Sequence, residues 1–459
     1  MHHRPEALLA LCLVMSIVTG TDTSAKDRNQ MKPPGVVIDQ SPDARKVYIG
    51  SPSLAILADG SYVASHDFFG PGTTFDTTAV FRSEDRGETW EQTATLKGQF
   101  WSRLFVGGEQ LYIMGSAGQW GTLVIRRSTD GGKTWTEPKD ADSGIVKAAS
   151  EEWLYGIASG AALIRDGRVY KSAVRREPGP RKWGQPQEFV VLSAPVSADL
   201  LKASSWRTSA GVSSLPHREG MFLTDEGNIV ADRDGKLFNI LRVHEPEKGG
   251  IAGMLAVSAD GREHSFDREH GYFPFPGGCK KFTIRYDAES DRWWSLTNWA
   301  QEESLKRAVN AERTRNTLAL ISSKNLRHWE VHSVVLYHPD VRGVGFQYAD
   351  WHVDGDDIVL LSRTAFGDTT NCHNANYLTF HRVADFRDHV EEPTGAVQEM
   401  VDVVHAGRHP KLPVHAPSLF DTGESLLVVH GFAKVGGREG YGDIYRSTDD
   451  GTSWQHVTT

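Results

Sequence analysis

Apolar residues in this chain fall into short runs of strand length separated by polar turns, and nowhere into a long stretch with helical spacing. The clearest runs flank Asp-Gly or Gly-Gly pairs, the short-range signature of a β-hairpin. They occupy 54–65 (turn at Asp59-Gly60), 104–114 (Gly107-Gly108), 161–174 (Asp166-Gly167) and 229–243 (Asp234-Gly235). Three more follow at 282–296, 348–362 (Asp354-Gly355) and 418–429 (Thr422-Gly423). A second hairpin candidate follows each, so the chain divides into seven hairpin pairs spaced roughly 50–70 residues apart. The pattern predicts an all-β chain of four-stranded units, a β-propeller with seven blades favoured and six as the alternative. A β-sandwich or parallel β-helix fits the interval less well. The best helix candidate, 301–312, is one short excursion between strands.

Identical turns punctuate the second hairpins. Ser83-Glu84-Asp85-Arg86-Gly87-Glu88-Thr89-Trp90 and Ser128-Thr129-Asp130-Gly131-Gly132-Lys133-Thr134-Trp135 share the pattern S-x-D-x-G-x-T-W. Ser447-Thr448-Asp449-Asp450-Gly451-Thr452-Ser453-Trp454 repeats it with Ser for Thr, and degenerate copies stand at 258–266 and 322–329. Ser and Asp side chains bond backbone groups across such a turn, Gly permits positive φ, and Trp packs the hairpin.

Composition narrows the partners. The 459 residues include 45 Gly and 13 Trp, in keeping with many tight turns and aromatic packing. A formal charge of −9 with the two signs interspersed argues against nucleic acid. Arg4, the apolar run 7–18 and the small residues Thr23-Ser24-Ala25 read as a signal peptide over 1–25, which implies a secreted or periplasmic protein without membrane insertion after cleavage. A lead-in segment over 26–46 then precedes a propeller over 47–459. Beyond Cys12, Cys279 and Cys372 either pair or remain as buried thiols. No metal or cofactor motif is visible.

Propeller geometry selects candidate site residues. If each Asp-Gly turn joins the two innermost strands on one face, the outer ends of those hairpins converge around the axis on the other. That face collects His66, Asp67, Glu245, Asp350, His373 and Tyr377 as candidates for acid–base chemistry. Arg103, Arg176, Arg242 and Arg363 suit a carboxylate, because a guanidinium fork pairs it bidentately, and Trp101, Trp120 and Tyr348 offer aromatic surface to a sugar. Arg242 and Arg363 each end an apolar inner strand and point toward the axis.

In its turns the chain resembles the Asp-box (BNR-repeat) proteins, the sialidase-like superfamily of propellers. The resemblance covers nearly all of 47–459 in repeat pattern. It implies a propeller whose Asp-box turns are structural and lie away from the active site. It also implies a glycoside hydrolase acting on an anionic glycan, with sialic acid or a uronic-acid-containing oligosaccharide as substrate. Sialidases open with a Phe/Tyr-Arg-Ile-Pro motif whose Arg binds the substrate carboxylate. The corresponding stretch here is Ile49-Gly50-Ser51-Pro52-Ser53, with Gly50 where that Arg would stand. The departure points to the periphery of the superfamily rather than to an ordinary sialidase. A polysaccharide lyase acting next to a uronate and a non-catalytic glycan-binding propeller are the alternatives.

Overall fold

The computed structural model describes residues 32–157, 160–180, 187–213, 216–218 and 221–390, and strands within 415–458. The signal-peptide expectation over 1–25 and most of the turn that starts at Ser447 lie outside the described residues. The chain divides into two compact units, Met1–Arg387 and Asp388–Thr459, where the sequence suggested one propeller over 47–459.

Six antiparallel sheets make up the first unit, arranged as a six-bladed propeller. The innermost strands of the first, second, fifth and sixth blades are Tyr48–Ile56, Phe100–Gly107, Thr283–Asp287 and Gly345–Asp354. In the third blade that strand is interrupted, running as Leu154–Ile157 and Leu163–Arg165, and in the fourth it is Met221–Ala231. The 301–312 excursion holds one helical turn, Glu302–Leu305, and a 3-10 turn, Ala311–Arg313.

Seven blades were favoured from the sequence; the ring closes with six. Its last sheet takes Gly345–Asp354, Asp357–Ala365 and Tyr377–Val383 from the end of the unit, then Val36–Gln40 as its outer strand. The segment expected to be a mere lead-in therefore completes the sixth blade. Across the closure, Asp350 accepts hydrogen bonds from Leu54 N and Ser53 Oγ of the first blade, at 2.9 and 3.1 Å. The seventh hairpin does form, pairing Leu419 with Val428, but inside the four-stranded sheet of the second unit.

Hydrophobic clusters lie between neighbouring blades. Leu54, Tyr62 and Phe81 of the first blade pack with Leu361, Leu378 and Phe380 of the sixth. The two described S-x-D-x-G-x-T-W turns share one geometry. Ser83 and Ser128 donate to Asp85 and Asp130, each Asp accepts the Thr N–H four residues on at 2.9 Å, and each Trp Nε1 donates to the turn Gly carbonyl at 3.1 Å. Trp90 then packs on the sixth blade and Trp135 on the first, so each turn ties its blade to the one before. Gly87 is required there: its φ is +97°, and a Cβ would stand 2.3 Å from the Phe380 ring.

One irregularity recurs at the start of three inner strands and shapes the site. The ladders shift between Gly50 and Ser53, Phe100 and Arg103, and Gln347 and Asp350. Each bulge holds a non-glycine residue at positive φ, namely Ser51 (41°), Trp101 (51°) and Tyr348 (57°). Bulges re-aim side chains, and strained backbone of this kind is enriched at functional sites.

Candidate functional site

All six blades contribute to a cavity of about 530 Å³ at the end where the inner strands begin. In the first unit, the Asp-Gly hairpin turns and the two described S-x-D-x-G-x-T-W turns lie at the other ends of the strands, on the opposite face. Of the residues singled out from the sequence, Asp67, Trp101, Arg242, Tyr348, Arg363 and His373 line the cavity.

The bulge residue Tyr348 donates its hydroxyl to Glu226 Oε1 at 2.5 Å. Burial alone would raise the Glu226 carboxyl, but Arg242 and the Tyr348 hydrogen bond outweigh it and hold the group below the usual carboxylate range. Arg242 Nη1 lies 2.9 Å from Glu226 Oε2, while its Nη2 lies 3.2 Å from Glu312 and its Nε donates to the Cys279 carbonyl. Arg242 thus steadies two carboxylates of the wall. Glu312 also receives His244 Nδ1 at 2.7 Å.

Two other buried arginines have no carboxylate within salt-bridge distance among the described residues. Arg363 is sandwiched between Phe69 and Tyr348, its guanidinium carbon 4.5 and 4.7 Å from the ring centroids. It donates from Nη2 to the His373 carbonyl, its Nε has no hydrogen-bond partner, and burial lowers the group to about 10. Arg315 is held by the Gln347 side chain at 2.7 Å and the Glu312 carbonyl at 3.0 Å. A buried guanidinium with spare donors is costly unless an anion meets it.

Asp67 belongs to the first blade, which stands across the ring from the fourth blade and its Glu226. Its side chain accepts from Thr78 Oγ1 at 2.9 Å and from Trp101 N at 2.8 Å, a contact that the positive φ of Trp101 sets up. Burial nevertheless pushes the carboxyl up to about 6, against the hydrogen bonds from Ser51 and Thr78. His373, in the same cavity, is held neutral, first by burial and then by Arg363 and Arg315.

Seven sequence candidates stand elsewhere. His66 turns away from the cavity, stacking on Phe81 and meeting Asp39 Oδ2 at 2.8 Å. Glu245 braces its own loop by accepting the Gly250 N–H at 2.8 Å. Asp350 lies deeper along the axis, where Arg103, Lys281 and Arg285 outweigh burial and hold it well below the usual carboxylate range, so it has no proton to give. Arg103 lies beside it, 3.7 Å away. Arg176 covers Trp120, and Trp120 packs edge-on against Trp101 outside the wall. Tyr377 opens the strand that pairs with Val36–Gln40 and is not among the residues that line the cavity. Cys279 and Cys372 are separate buried thiols.

Glu226 and Arg315 escaped the sequence reading. Arg315 stands just before the apolar strand Thr317–Ser323, whereas Arg242 and Arg363 were singled out because each follows an apolar run. Glu226 is hidden by a shift in the ladder between Leu223 and Gly227, ahead of the apolar residues that mark the hairpin. Among the described residues, no group of three or more His, Cys, Asp and Glu side chains converges as a metal site would need.

Neither a protein-family model nor a curated protein sequence matches the chain. Among solved structures, a protein of unknown function from Dyadobacter fermentans is similar at 13% identity over 77% of this chain and 99% of its own, with a TM-score of 0.52. The α-L-arabinanase of Penicillium chrysogenum, solved with arabinobiose, gives 14% identity, 77% and 98% coverage and a TM-score of 0.46. The α-L-arabinofuranosidase of Fusarium graminearum, solved with an iminosugar inhibitor, gives 12%, 76%, 97% and 0.48. At such identities the likeness to the Dyadobacter protein is one of fold.

Proposed function

We propose that this protein is a glycoside hydrolase acting on a terminal sugar that bears a carboxylate, of the sialidase-like kind, with retention of configuration. The observation that carries the reading is the Tyr348–Glu226 hydrogen bond inside a cavity that also holds Arg315 and Arg363. Arg315 and Arg363 take the substrate carboxylate, since both keep donors without a carboxylate partner. Glu226, held ionised, draws the proton from the Tyr348 hydroxyl as the phenol oxygen attacks the anomeric carbon. A neutral phenol approaches a carbon beside a carboxylate without the like-charge repulsion that a carboxylate nucleophile would meet. Asp67, protonated up to about pH 6, gives its proton to the leaving oxygen and later takes one from the water that releases the sugar. Trp101 positions Asp67 through its backbone N–H and offers its ring to the sugar.

The test is a panel of aryl glycosides of carboxylated and neutral sugars, followed by trapping with a fluorinated analogue of the best substrate and mass mapping. A glycosyl adduct on Tyr348 is the expected result; turnover with an adduct on another residue, or none, overturns the assignment. A second reading rests on His373. A neutral imidazole next to Arg363 suits removal of the proton α to a uronate carboxylate, with β-elimination of the leaving sugar. Absorbance of an unsaturated product, in place of a saturated sugar, would select it.

A further inference from the structure

The cavity wall divides by chemistry. Its charged side comes from the fourth to sixth blades, while Phe75, Phe100, Trp101, Gln119 and Ile157 of the first three blades form an arc that the proposed hydrolysis uses only at Trp101. Phe69 and Tyr348 also line the wall, but both rings pack against the Arg363 guanidinium. Phe75 and Trp101 are thus the aromatic rings that the side of the cavity nearest Asp67 has to offer.

Phe75 stands on the connection between the strands Tyr62–Phe69 and Thr77–Ser83, at a φ of 55° that a bulky L residue rarely adopts. Hydrogen bonds hold it there. Gly72 N donates to the Lys46 carbonyl at 2.8 Å, the Asp76 carboxylate accepts from the Thr74 and Thr77 hydroxyls, and the Asp76 carbonyl takes Gln99 N at 3.0 Å. The last bond ties the loop to the start of the second blade, where the Phe75 ring meets Phe100 at 5.9 Å and Phe100 meets Trp101 at 5.4 Å. The loop of the second blade that carries the exposed Gln119 comes equally close: a Cβ on Gly118 would stand 3.6 Å from the Phe75 carbonyl. Phe100 is 1% exposed, whereas Phe75 and Trp101 are only half-buried. Core burial therefore does not repay the strain at Phe75, and strain of this kind concentrates where a ligand is held.

The direction of the leaving group follows from the proposed chemistry. A nucleophile and the leaving oxygen occupy opposite faces of the anomeric carbon. Glu226 of the fourth blade draws the Tyr348 hydroxyl to its side, and Asp67 of the first blade is held by the Trp101 N–H, so the leaving group extends over the first and second blades. The geometry points to Phe75 as a specificity-determining residue that, with Trp101 and Gln119, binds the leaving group as a neutral sugar residue; this rests on the hydrolase reading. A sugar ring brings an apolar C–H face to the two aromatic rings and hydroxyls at its edge to the Gln119 amide. A serine or threonine side chain offers no such face. Apart from Asp67, no charged residue among those described lines this arc, which suits a leaving residue without charge.

The test compares two substrates that share the best carboxylated sugar: its glycosyl fluoride, and the disaccharide in which glucose is the leaving residue. The readout is the ratio of kcat/KM on the disaccharide to that on the fluoride, which a merely structural role of Phe75 would leave in place because both substrates would suffer alike. Phe75→Ala should lower the ratio about 10-fold, chiefly through KM on the disaccharide. Phe75→Tyr, which keeps the ring, should hold it near the original value, and Gln119→Ala should lower it about 3-fold. Phe75→Gly accepts the positive φ and repeats the measurement if the alanine variant does not fold. An unchanged ratio, or turnover of the fluoride without the disaccharide, overturns the inference and leaves the hydrolase reading standing. Turnover of neither substrate by the unsubstituted protein overturns both.

Discussion

Tyr348 reaches Glu226 across the cavity from a different blade, its hydroxyl 2.5 Å from the carboxylate. Two features make the contact. A bulge with positive φ at Tyr348 turns the ring inward, and Arg242 holds Glu226 by its other oxygen at 2.9 Å. Tyr348→Phe keeps the ring that packs on Arg363 and removes only the hydroxyl. On the best carboxylated glycoside it should lower kcat by roughly three orders of magnitude with little change in KM. Glu226→Gln should follow it. Steady-state kinetics on the two variants and the double variant check the claim, and additive losses would separate two residues that we take to act as a unit.

The pH dependence follows from the same pair and from Asp67. In the proposed hydrolysis Glu226 acts ionised, and its carboxyl lies below the usual range, so activity should persist well into acid. Asp67 must be protonated, and it titrates near 6, so kcat should fall as pH rises through that value. Stability moves in step. A carboxyl raised from 3.8 to about 6 binds more protons folded than unfolded across that window. Its contribution is therefore greatest below 3.8 and declines as pH rises through about 6. Asp67→Asn should flatten that part of the stability profile and lower kcat about 100- to 10,000-fold. Urea midpoints at a series of pH values, paired with a pH–rate profile, give both readings.

Arg363 should decide charge selectivity. Its guanidinium lies between Phe69 and Tyr348 with Nε unpartnered, and in the proposed reaction an incoming carboxylate completes it. Arg363→Met should raise KM for the carboxylated substrate roughly 10- to 100-fold and leave binding of the corresponding amide nearly unchanged. Arg363→Lys should recover only part of the loss, because an ammonium neither forks nor stacks in the same way. Equal losses on the acid and the amide would show that Arg363 merely packs the wall.

How much of this was legible in the sequence depended on the range of the interaction. Every Asp-Gly hairpin formed, because its turn and alternation are local. Blade number was not local: closure rests on Val36–Gln40 pairing with Tyr377–Val383, more than 300 residues away, and five residues of VVIDQ carry little pattern. Arg242, Arg363 and Asp67 were visible as polar residues at the ends of apolar inner strands. The role of Tyr348 was not, since it depends on a bulge and on Glu226, whose own strand shifts register just before it. His66 and Asp350 had the right chemistry at nearly the right level. Side-chain direction, which period-2 alternation sets and a bulge resets, took them out of the cavity.

Closure by the N-terminal strand can be tested at Asp39. Its carboxylate meets the Nε2 of His66, a fully buried ring of the first blade. Asp39→Ala should leave that nitrogen without its partner and cost about 1–3 kcal/mol. Loss of the contact also loosens Val36–Gln40 from the ring, so backbone amides of Tyr377–Val383 should exchange faster. Hydrogen exchange with unchanged protection there, together with an unchanged urea midpoint, would show that the strand is dispensable.

The turn at Ser128 should behave in the opposite way to the cavity residues. Asp130 accepts from Ser128 Oγ, Lys133 N, Thr134 N and Thr134 Oγ1, and the turn it shapes holds Trp135 against the first blade. Asp130→Ala removes the shared acceptor while leaving the exposed rim free to rehydrate, so the cost is about 1–2 kcal/mol, well short of that for a buried pair. Because the turn stands on the face opposite Tyr348 and Glu226, kcat and KM should stay at their original values below the new midpoint. A fall in kcat at a temperature where the variant is fully folded would mean that the blade contact carries strain through to the cavity, and the separation of a structural face from a chemical face would have to be abandoned.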